Sequence, residues 1–383
     1  MRERSFPREA AALGAPPGPE EQQARRRRAP HSEVAAPARP SHPESDVRVG
    51  PLMPLAGLLR ELGSDPATVF AAGGLGADAF DDCERRVPFR AAAAVLARAA
   101  QAARRDDIGV LLGRRFEIEY FGLLGSVMCS ARSVGDALRD LGRYFQLQDR
   151  GAAVYLSPRG AGTVALGYSQ LDADAPGVAA IYALAMMIGV RLLRALAGPA
   201  FRPSEVSLMR PAPARPADYR RAYGAPVVFD AARSEIAFAA RWLDAAVAGS
   251  DGSAYAHAQR SARSAAGAVA PGLAVRAQAA AQALLAGGAV SAQTLAGAFG
   301  VHERTLRRQL SSEGSSIAAV VATARFELAR QLLRETALPL SAIGAALGYA
   351  GAPAFVRAFR GWAGCTPGAW RAQCADVAPR RRG

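Results

Sequence analysis

Two stretches near the C-terminus share one pattern, and this pattern restricts the possible folds more than any other part of the chain. Each stretch has a short apolar helix, a glycine-containing turn, and a second helix that is apolar on one side and arginine-rich on the other. The first reads VSAQTLAGAFGVHERTLRRQL from Val290, and the second reads LSAIGAALGYAGAPAFVRAFR from Leu340. A run from Ile317 to Glu335 lies between them and, as an α-helix, is about 28 Å long. The pattern predicts an all-α C-terminal domain with two helix-turn-helix units joined by a long helix.

A helix-turn-helix rests one helix on its scaffold and places the next in the DNA major groove. The second helix of the first unit has Leu306 and Leu310 one turn apart, which predicts that both are in the core. The predicted DNA-binding residues of the two units are Arg304, Thr305, Arg307, Arg308, Arg357 and Arg360. Arginine can bind a guanine edge or a phosphate. We favour base contact for Arg304 and Arg307, and phosphate contact stays open.

Charge agrees with a polyanionic partner. The formal net charge is +14, and every basic residue is arginine. Residues 270–383 hold 13 arginines and 5 acidic residues, so this segment is the most basic per residue. A solvated basic surface is the alternative explanation of this charge, and the helix-turn-helix pattern favours DNA.

No catalytic or metal-binding constellation is present in the sequence. The four cysteines form no CxxC pair, and the four histidines lack metal-ligand spacing, so we expect no enzyme activity, no metal and no cofactor. Cys83 and Cys129 also lack the neighbouring His and Cys residues that a methyl-acceptor cysteine would need. The longest apolar run, residues 178–190, is too short to cross a bilayer, and we expect a cytoplasmic protein.

Composition divides the chain into five segments. Residues 1–50 are rich in Pro and Arg, including Arg25–Arg28, and are predicted to be a disordered tail. Residues 51–245 are predicted to be an α+β effector or dimerisation domain with a small, antiparallel sheet. Residues 246–272 have the Ala, Ser and Gly content of a linker, which would also permit a loose helix. The helix-turn-helix domain then occupies residues 273–375, and residues 376–383 form a basic tail.

Within the α+β segment, apolar periodicity and turn signals predict individual elements. Helices are expected from Leu52 to Gly63, from Asp65 onward, and over residues 87–104, 133–146 and 178–196; strands are expected over residues 152–157, 163–169, 205–209, 227–229 and 235–238.

Residues 273–371 resemble the DNA-binding domain of the AraC/XylS family of transcription regulators. The resemblance is carried by ERTLRRQLSSEG in the first unit, by Ala329, Leu332 and Leu333 in the connecting helix, and by AFVRAFRGWAGCTPGAWR at the end. Residues 52–250 are similar to the "arabinose-binding" type N-terminal domain of such regulators, through LLRELG, DIGVLLG, FGLLGSVMCSARSVGDALRDLGRYF and PVVFDAARSEIAF.

The resemblance implies a sequence-specific transcription regulator, an activator rather than a repressor. It implies double-stranded promoter DNA, RNA polymerase, a small-molecule effector and a second copy of the chain as partners. Candidate effector-lining residues near predicted core elements are Tyr120, Phe121, Tyr144, Tyr182 and Met186, for which ordinary core packing is the alternative. An effector-independent or non-specific architectural DNA-binding protein is the alternative function.

The chain departs from the family pattern at two places. His302 stands where the family often has a helix-capping serine. In the second unit, the turn from Gly348 to Pro353 lacks the usual polar cap, and Gly361 stands where a second arginine is common. We therefore expect the first unit to supply sequence specificity and the second to bind mostly phosphate.

Overall fold

The computed structural model describes residues 45–377, apart from residues 161, 173, 270–271, 287–289 and 300. The predictions for residues 1–44, including Arg25–Arg28, and for residues 378–383 lie outside the described residues. The same holds for Gly287 and Gly288, whose sequence indicates the end of a helix, and for Gly300, which is expected to permit the turn of the first unit. One large hydrophobic core unites the chain from Val49 to Ala266. Two smaller cores lie among the helices from Leu273 onward, and the second of them also includes Met209 of the N-terminal domain. These cores separate an N-terminal α+β domain from a helical C-terminal domain, as the sequence predicts.

The N-terminal domain alternates helices with short strands. Its helices are α1 (Leu55–Glu61), α2 (Pro66–Ala72), α3 (Phe89–Ala102), α4 (Ile108–Gly113), α5 (Leu123–Ser130), α6 (Val134–Tyr144), α7 (Val178–Ala197), α8 (Pro216–Tyr223) and α9 (Gly252–Val269). Its strands are β1 (Asp46–Arg48), β2 (Arg86–Pro88), β3 (Ala152–Pro158), β4 (Thr163–Gln170), β5 (Glu205–Ser207), β6 (Val227–Val228) and β7 (Ser234–Ala239).

Two of the predicted helix starts are explained by side-chain caps. The Asp65 carboxylate accepts hydrogen bonds from the backbone N–H groups of Ala67 and Thr68, and the Ser133 hydroxyl accepts one from Asp136. Both caps satisfy N–H groups that have no partner inside the helix.

The five-stranded sheet has the order β3-β4-β7-β5-β6. The predicted hairpin is confirmed, because β3 and β4 pair in antiparallel register with Leu156 opposite Leu166. The prediction of an antiparallel sheet is wrong at one edge, where β5 and β6 run parallel. Helix α8 lies between these two strands in the chain and carries it back to the same end of the sheet.

Helix α7 is the centre of the N-terminal core, as its apolar sequence predicts. It is the one helix in the described residues that is long and apolar enough to cross a membrane, but most of it is buried inside the protein. Helix α4 packs against it so closely that a Cβ on Gly109 would lie 2.2 Å from the carbonyl oxygen of Ala180. Glycine is therefore required at position 109 for the two backbones to approach.

The structure corrects two predicted boundaries near the start of the domain. Residues 46–48, predicted as part of the disordered tail, form β1 and pair with β2. The helix predicted from Val87 begins at Phe89 instead, because Val87 is paired with Val47 in this small sheet. A strand this short gives a weaker sequence signal than the helical periodicity that follows it, so the sequence predicts a helix at Val87.

Residues 252–269, whose composition suggested a linker, form the 18-residue helix α9. Its Ala258, Ala262 and Ala266 are buried in the N-terminal core. They lie at a spacing of four residues, so one small-residue stripe of α9 packs against the domain while its polar side faces outward. Tyr255 donates a hydrogen bond to Asp140 (2.6 Å), which also fixes α9 to α6.

The C-terminal domain is helical and contains the two predicted helix-turn-helix units and the predicted connecting helix. Its helices are α10 (Leu273–Ala286), α11 (Ala292–Ala298), α12 (Glu303–Ser312), α13 (Ile317–Glu335), α14 (Leu340–Ala346), α15 (Ala352–Ala363) and α16 (Pro367–Val377). The connecting helix α13 has the predicted limits, because Ser316 caps its start by accepting a hydrogen bond from Ala319 (3.1 Å).

Candidate nucleic-acid interface and effector cavity

The first helix-turn-helix unit consists of α11 and α12. Leu295, Leu306 and Leu310 are fully buried between them, as the sequence predicts. Glu313, which follows α12, accepts hydrogen bonds from the backbone N–H groups of Leu273 and Ala274 (2.9 Å each). This contact caps α10 and fixes the first unit to the helix that opens the domain, so the orientation of α12 is rigidly supported.

The exposed side of α12 carries the predicted DNA-binding residues. Arg304, Arg307 and Arg308 are exposed, and Thr305 is half-buried. His302 caps the helix, because its Nδ1 accepts a hydrogen bond from the Arg304 N–H (3.3 Å). It therefore has a capping role at the position where the sequence suggested a poor cap or a surface residue.

Glu303 divides the arginines of α12 into two groups. Its carboxylate forms an ion pair with Arg307 one helical turn later. Within the described part of the chain, the side chains of Arg304 and Arg308 have no hydrogen-bonded or ion-paired partner, so both are available to DNA without breaking a contact. Arg307 must exchange Glu303 for any DNA contact that it makes.

The second unit consists of α14 and α15. Ile343, Leu347, Phe355 and Phe359 are fully buried, and Trp362 packs against them. Arg357 and Arg360 project from the opposite side of α15 and are exposed. The start of α15 has no side-chain cap, since Gly351 is the capping residue and Pro353 lies in the first turn. The expected lack of polar groups at this helix end is thus confirmed.

The connecting helix α13 joins both units through two different cores. Val320 and Ala324 pack in the core of the first unit, whereas Ala329, Leu332 and Leu333 pack in the core of the second. Because each unit is packed against the same rigid helix, the distance and angle between the two reading helices are fixed by α13.

The other side of α13 contacts the N-terminal domain, which the sequence did not predict. Asp174 binds Arg330 and Arg334, the latter at 2.9 Å. Glu327 lies beside them with only 4% of its surface exposed. Burial, together with nearby Asp172, raises the pKa of Glu327 to about 7, although Arg330 lies 3.0 Å from its carboxylate.

Further polar contacts join the two domains beside this cluster. Ser169 of β4 donates a hydrogen bond to Gln282 of α10 (2.6 Å), and Arg233 donates to the Leu285 carbonyl (2.9 Å). The Ala337 N–H donates to Asp230 (2.9 Å). The DNA-binding domain is therefore held at α10 and α13, which leaves the arginine side of α12 outside these contacts.

An apolar cavity of about 90 Å³ lies inside the N-terminal domain, between α7 and the sheet. Its walls include Leu166 and Tyr168 of β4, Ile236 of β7, and Ile181 and Leu184 of α7.

The candidate effector-lining residues divide around this cavity. Phe121 and Met186 line it. Tyr182 lies behind Tyr168, with a ring-to-ring distance of 5.5 Å, and Tyr144 is buried nearby in the same core. Tyr120 is half-buried, and its carbonyl accepts a hydrogen bond from Arg48. The lining includes residues that sequence reasoning missed because β-strand partners are set by tertiary register.

Tyr182 connects the cavity wall to the DNA-binding domain. Its ring packs against that of Tyr168, and its hydroxyl accepts a hydrogen bond from the Gln170 N–H (3.1 Å). Gln331 of α13 lies beside the same hydroxyl, and its buried side-chain nitrogen has no hydrogen-bond partner among the described residues. Burial raises the pKa of Tyr182 to about 12, so the hydroxyl stays neutral at physiological pH. One side chain thus separates the cavity wall from the connecting helix.

The buried carboxyl of Asp149, which lines the cavity, predicts a pH dependence of stability. Burial raises its pKa to about 6 from an ordinary 3.8. A raised pKa means that the folded state binds the proton more tightly, so this group stabilises the fold below pH 3.8 and loses that effect as pH rises through 6. We expect the free energy of unfolding of the native chain, relative to that of Asp149→Asn, to fall by about 3 kcal/mol over this range. Denaturant titrations at several pH values would measure it, and parallel curves for the two chains would contradict it.

Comparisons with known proteins agree with this architecture. The arabinose-binding domain of AraC transcription regulators, an N-terminal domain, matches residues 63–247, and a helix-turn-helix domain matches residues 295–373. The chain belongs to the AraC family of transcription regulators. It is a DNA-binding transcription regulator with an N-terminal domain of the ligand-binding type, and such regulators are not enzymes.

Two relatives extend over both domains of this AraC-family chain. The HTH-type transcriptional regulator VirS of Mycobacterium tuberculosis is 28% identical over 71% of this chain and 81% of its own length. The ornithine utilization regulator of Pseudomonas aeruginosa is 27% identical over 69% of this chain and 78% of its own length. A crystal structure of the transcriptional regulator CdpR from Pseudomonas aeruginosa aligns with 69% of this chain and 86% of its own at 23% identity, with a TM-score of 0.37.

Proposed function

We propose that this chain is a cytoplasmic, sequence-specific regulator that binds double-stranded promoter DNA through α12 and α15 and responds to a small-molecule effector in its N-terminal domain. The observation that carries the DNA-binding proposal is the pair of exposed arginine surfaces on α12 and α15, both packed against α13. A single rigid helix between two reading helices suits successive major grooves on one side of the DNA.

The proposed DNA contacts differ between the two units. Arg304, Thr305, Arg307 and Arg308 supply base contacts from α12, whereas Arg357 and Arg360 bind phosphate from α15. Support comes from the polar, capped start of α12 and the uncapped, Ala- and Gly-rich start of α15. Base contacts discriminate between sequences, while phosphate contacts only position the protein.

The effector response is supported by the contact between the domains. Tyr168 in the cavity wall packs against Tyr182, and Tyr182 lies beside Gln331 of α13. A ligand that prefers one arrangement of this wall would shift α13, and with it both reading helices, relative to the N-terminal domain. The effector thereby acts on operator affinity without touching DNA.

The oligomeric state and the choice between activation and repression are inferred from the family alone. We propose that the chain acts as a homodimer and activates transcription with RNA polymerase. Sedimentation of the purified chain measures its mass, and transcription from an operator-linked promoter with purified RNA polymerase measures the direction. A monomer that lowers transcription would contradict both proposals.

The central experiment is selection of random double-stranded DNA on the purified chain at physiological ionic strength. We expect enrichment of one sequence and a footprint on it that survives non-specific competitor DNA. Binding without enrichment would instead identify an architectural protein, because sequence-independent binding rests on phosphate contacts. A chain with both Arg304→Ala and Arg357→Ala is the control and should enrich nothing.

Glu303 provides a further prediction about the reading helix. Replacing Glu303 by Gln removes a negative charge beside the DNA and releases Arg307 from its ion pair. We expect tighter operator binding, because Arg307 no longer has to leave an ion pair to make its base contact, and a steeper salt dependence, because a negative charge beside the phosphates is removed. Operator titrations over a range of salt concentrations measure both effects.

The matched control is Glu117→Gln, which removes the same charge from an exposed position of the N-terminal domain. It changes the net charge of the protein by the same amount and should leave operator binding unchanged. Equal effects of the two substitutions would show that Glu303 acts only through the total charge of the protein.

A further inference from the structure

The cavity between α7 and the sheet has a lining that is almost wholly apolar. Its few polar side chains are at one end, and they belong to Arg48, Gln148, Asp149 and Tyr168. An effector that carries charge or several hydroxyl groups would need partners among these four residues. Their existing hydrogen bonds therefore decide which chemistry the cavity accepts.

Arg48 is already paired. Its guanidinium donates to both oxygens of Glu84, at 2.9 and 2.6 Å, and to the Tyr120 carbonyl at 3.1 Å. Gln148 donates to the Arg48 carbonyl (2.8 Å). An anionic ligand would have to compete with the exposed Glu84 carboxylate for Arg48, so it would lose its own hydration only to replace an ion pair that already exists.

Both carboxylate oxygens of Asp149 also have hydrogen-bond partners. One oxygen accepts from the Gly151 N–H (2.8 Å), and the other accepts from Tyr168 (3.2 Å) and from Gln170 (3.1 Å). An ammonium group, such as that of an amino acid, would compete with these three bonds. A sugar would bury several hydroxyl groups against aliphatic side chains that cannot bind them.

We infer that this cavity is the effector site and that it takes a small, uncharged, apolar molecule rather than a sugar or an amino acid. The inference rests on the proposed effector response and specifies its ligand. Apolar cavities of about 150 Å³ bind benzene in other proteins, and the flexible side chain of Met186 lets this smaller one adjust. The ligand would contact Tyr168, whose ring packs on Tyr182.

A second cleft is lined by charged side chains and is the alternative effector site. It is open, polar and about 540 Å³ in volume, and it is lined by Arg104, Arg105, Asp106, Asp107 and Asp218 among others. Arg105 and Asp107 pair with each other at 2.6 Å. A charged effector would favour this cleft, so the test separates the two sites by ligand and by variant.

The experiment uses the full chain and three probes, namely benzene, D-arabinose and L-ornithine. Melting temperature and titration calorimetry report binding, and operator affinity is measured with and without each probe. We expect saturable binding of benzene alone. Ala185→Leu, which fills the cavity, should abolish it, whereas Ala195→Leu, the same change at an exposed position of α7, should preserve it.

Met186→Ala keeps the test decisive if Ala185→Leu does not fold, because it enlarges the cavity and should strengthen benzene binding. Absence of benzene binding to both the native chain and Met186→Ala would overturn the inference. Binding of D-arabinose or L-ornithine that Ala185→Leu abolishes would overturn it as well. Benzene binding without any change in operator affinity would support the site and contradict the effector role, and failure to select an operator would contradict only the DNA-binding proposal.

Discussion

Replacing Arg304 by alanine is expected to reduce operator affinity roughly tenfold to a hundredfold, because a bidentate contact between arginine and guanine contributes about 1–3 kcal/mol. Arg304 is exposed on α12 and lacks any ion-paired partner in the described residues, so the substitution leaves the fold unchanged. The loss should be concentrated on one base pair of the operator. Titrations with operators mutated at each position measure this specificity directly.

Arg357→Ala is the matched comparison in the second unit. It removes an equally exposed arginine from α15, but we expect a uniform loss of affinity across operator variants and a smaller salt dependence, as a phosphate contact predicts. If discrimination between operators fell more with Arg357→Ala than with Arg304→Ala, the proposed division of roles between the units would be wrong.

Removing the Phe359 ring should destabilise the second unit by about 3–5 kcal/mol, since a large buried aromatic side chain would be replaced by a methyl group. Phe359 is fully buried, and its ring lies within 6 Å of the rings of Phe326, Phe355 and Trp370. The substitution therefore disconnects α15 from both α13 and α16. We expect the second unit to unfold at a lower temperature and operator affinity to fall to that of the first unit alone.

The separate cores make this prediction specific to one part of the molecule. Phe359 belongs to the core of the second unit, to which the N-terminal domain contributes Met209, so the melting of the N-terminal domain should change much less than that of the second unit. Val356→Ala, at a half-buried position of the same helix, is the control and should have a small effect. A loss of stability shared equally by both domains would show that the cores unfold as one.

Local signals in the sequence predicted most of the helical elements correctly. Asp65 and Ser133 cap the helices that they were expected to start, and Ser316 caps α13 in the same way, because a cap needs only the backbone of the next turn. The apolar spacing of Leu306 and Leu310 likewise predicted their burial. Such predictions succeed because all the interacting groups lie within a few residues of one another.

Predictions that needed distant partners were weaker. Strand β1 follows a stretch with the composition of a tail and exists because β2, about forty residues later, pairs with it. Helix α9 is recognisable only once its alanines meet the N-terminal core. The five effector candidates were selected as aromatic or flexible residues near core elements, and only Phe121 and Met186 among them line the cavity.

The sequence by itself determined that this chain ends in two arginine-bearing helix-turn-helix units on a shared helix, since periodicity, caps and charge are all encoded within short segments. Tertiary structure alone decided where the cavity lies and how the domains meet. Glu327 and Gln331 have the polar character of a solvent-facing side of α13, yet both are buried against the N-terminal domain. Burial of a polar side chain depends on which other part of the chain packs over it. The helical periodicity of a sequence does not identify that part of the chain.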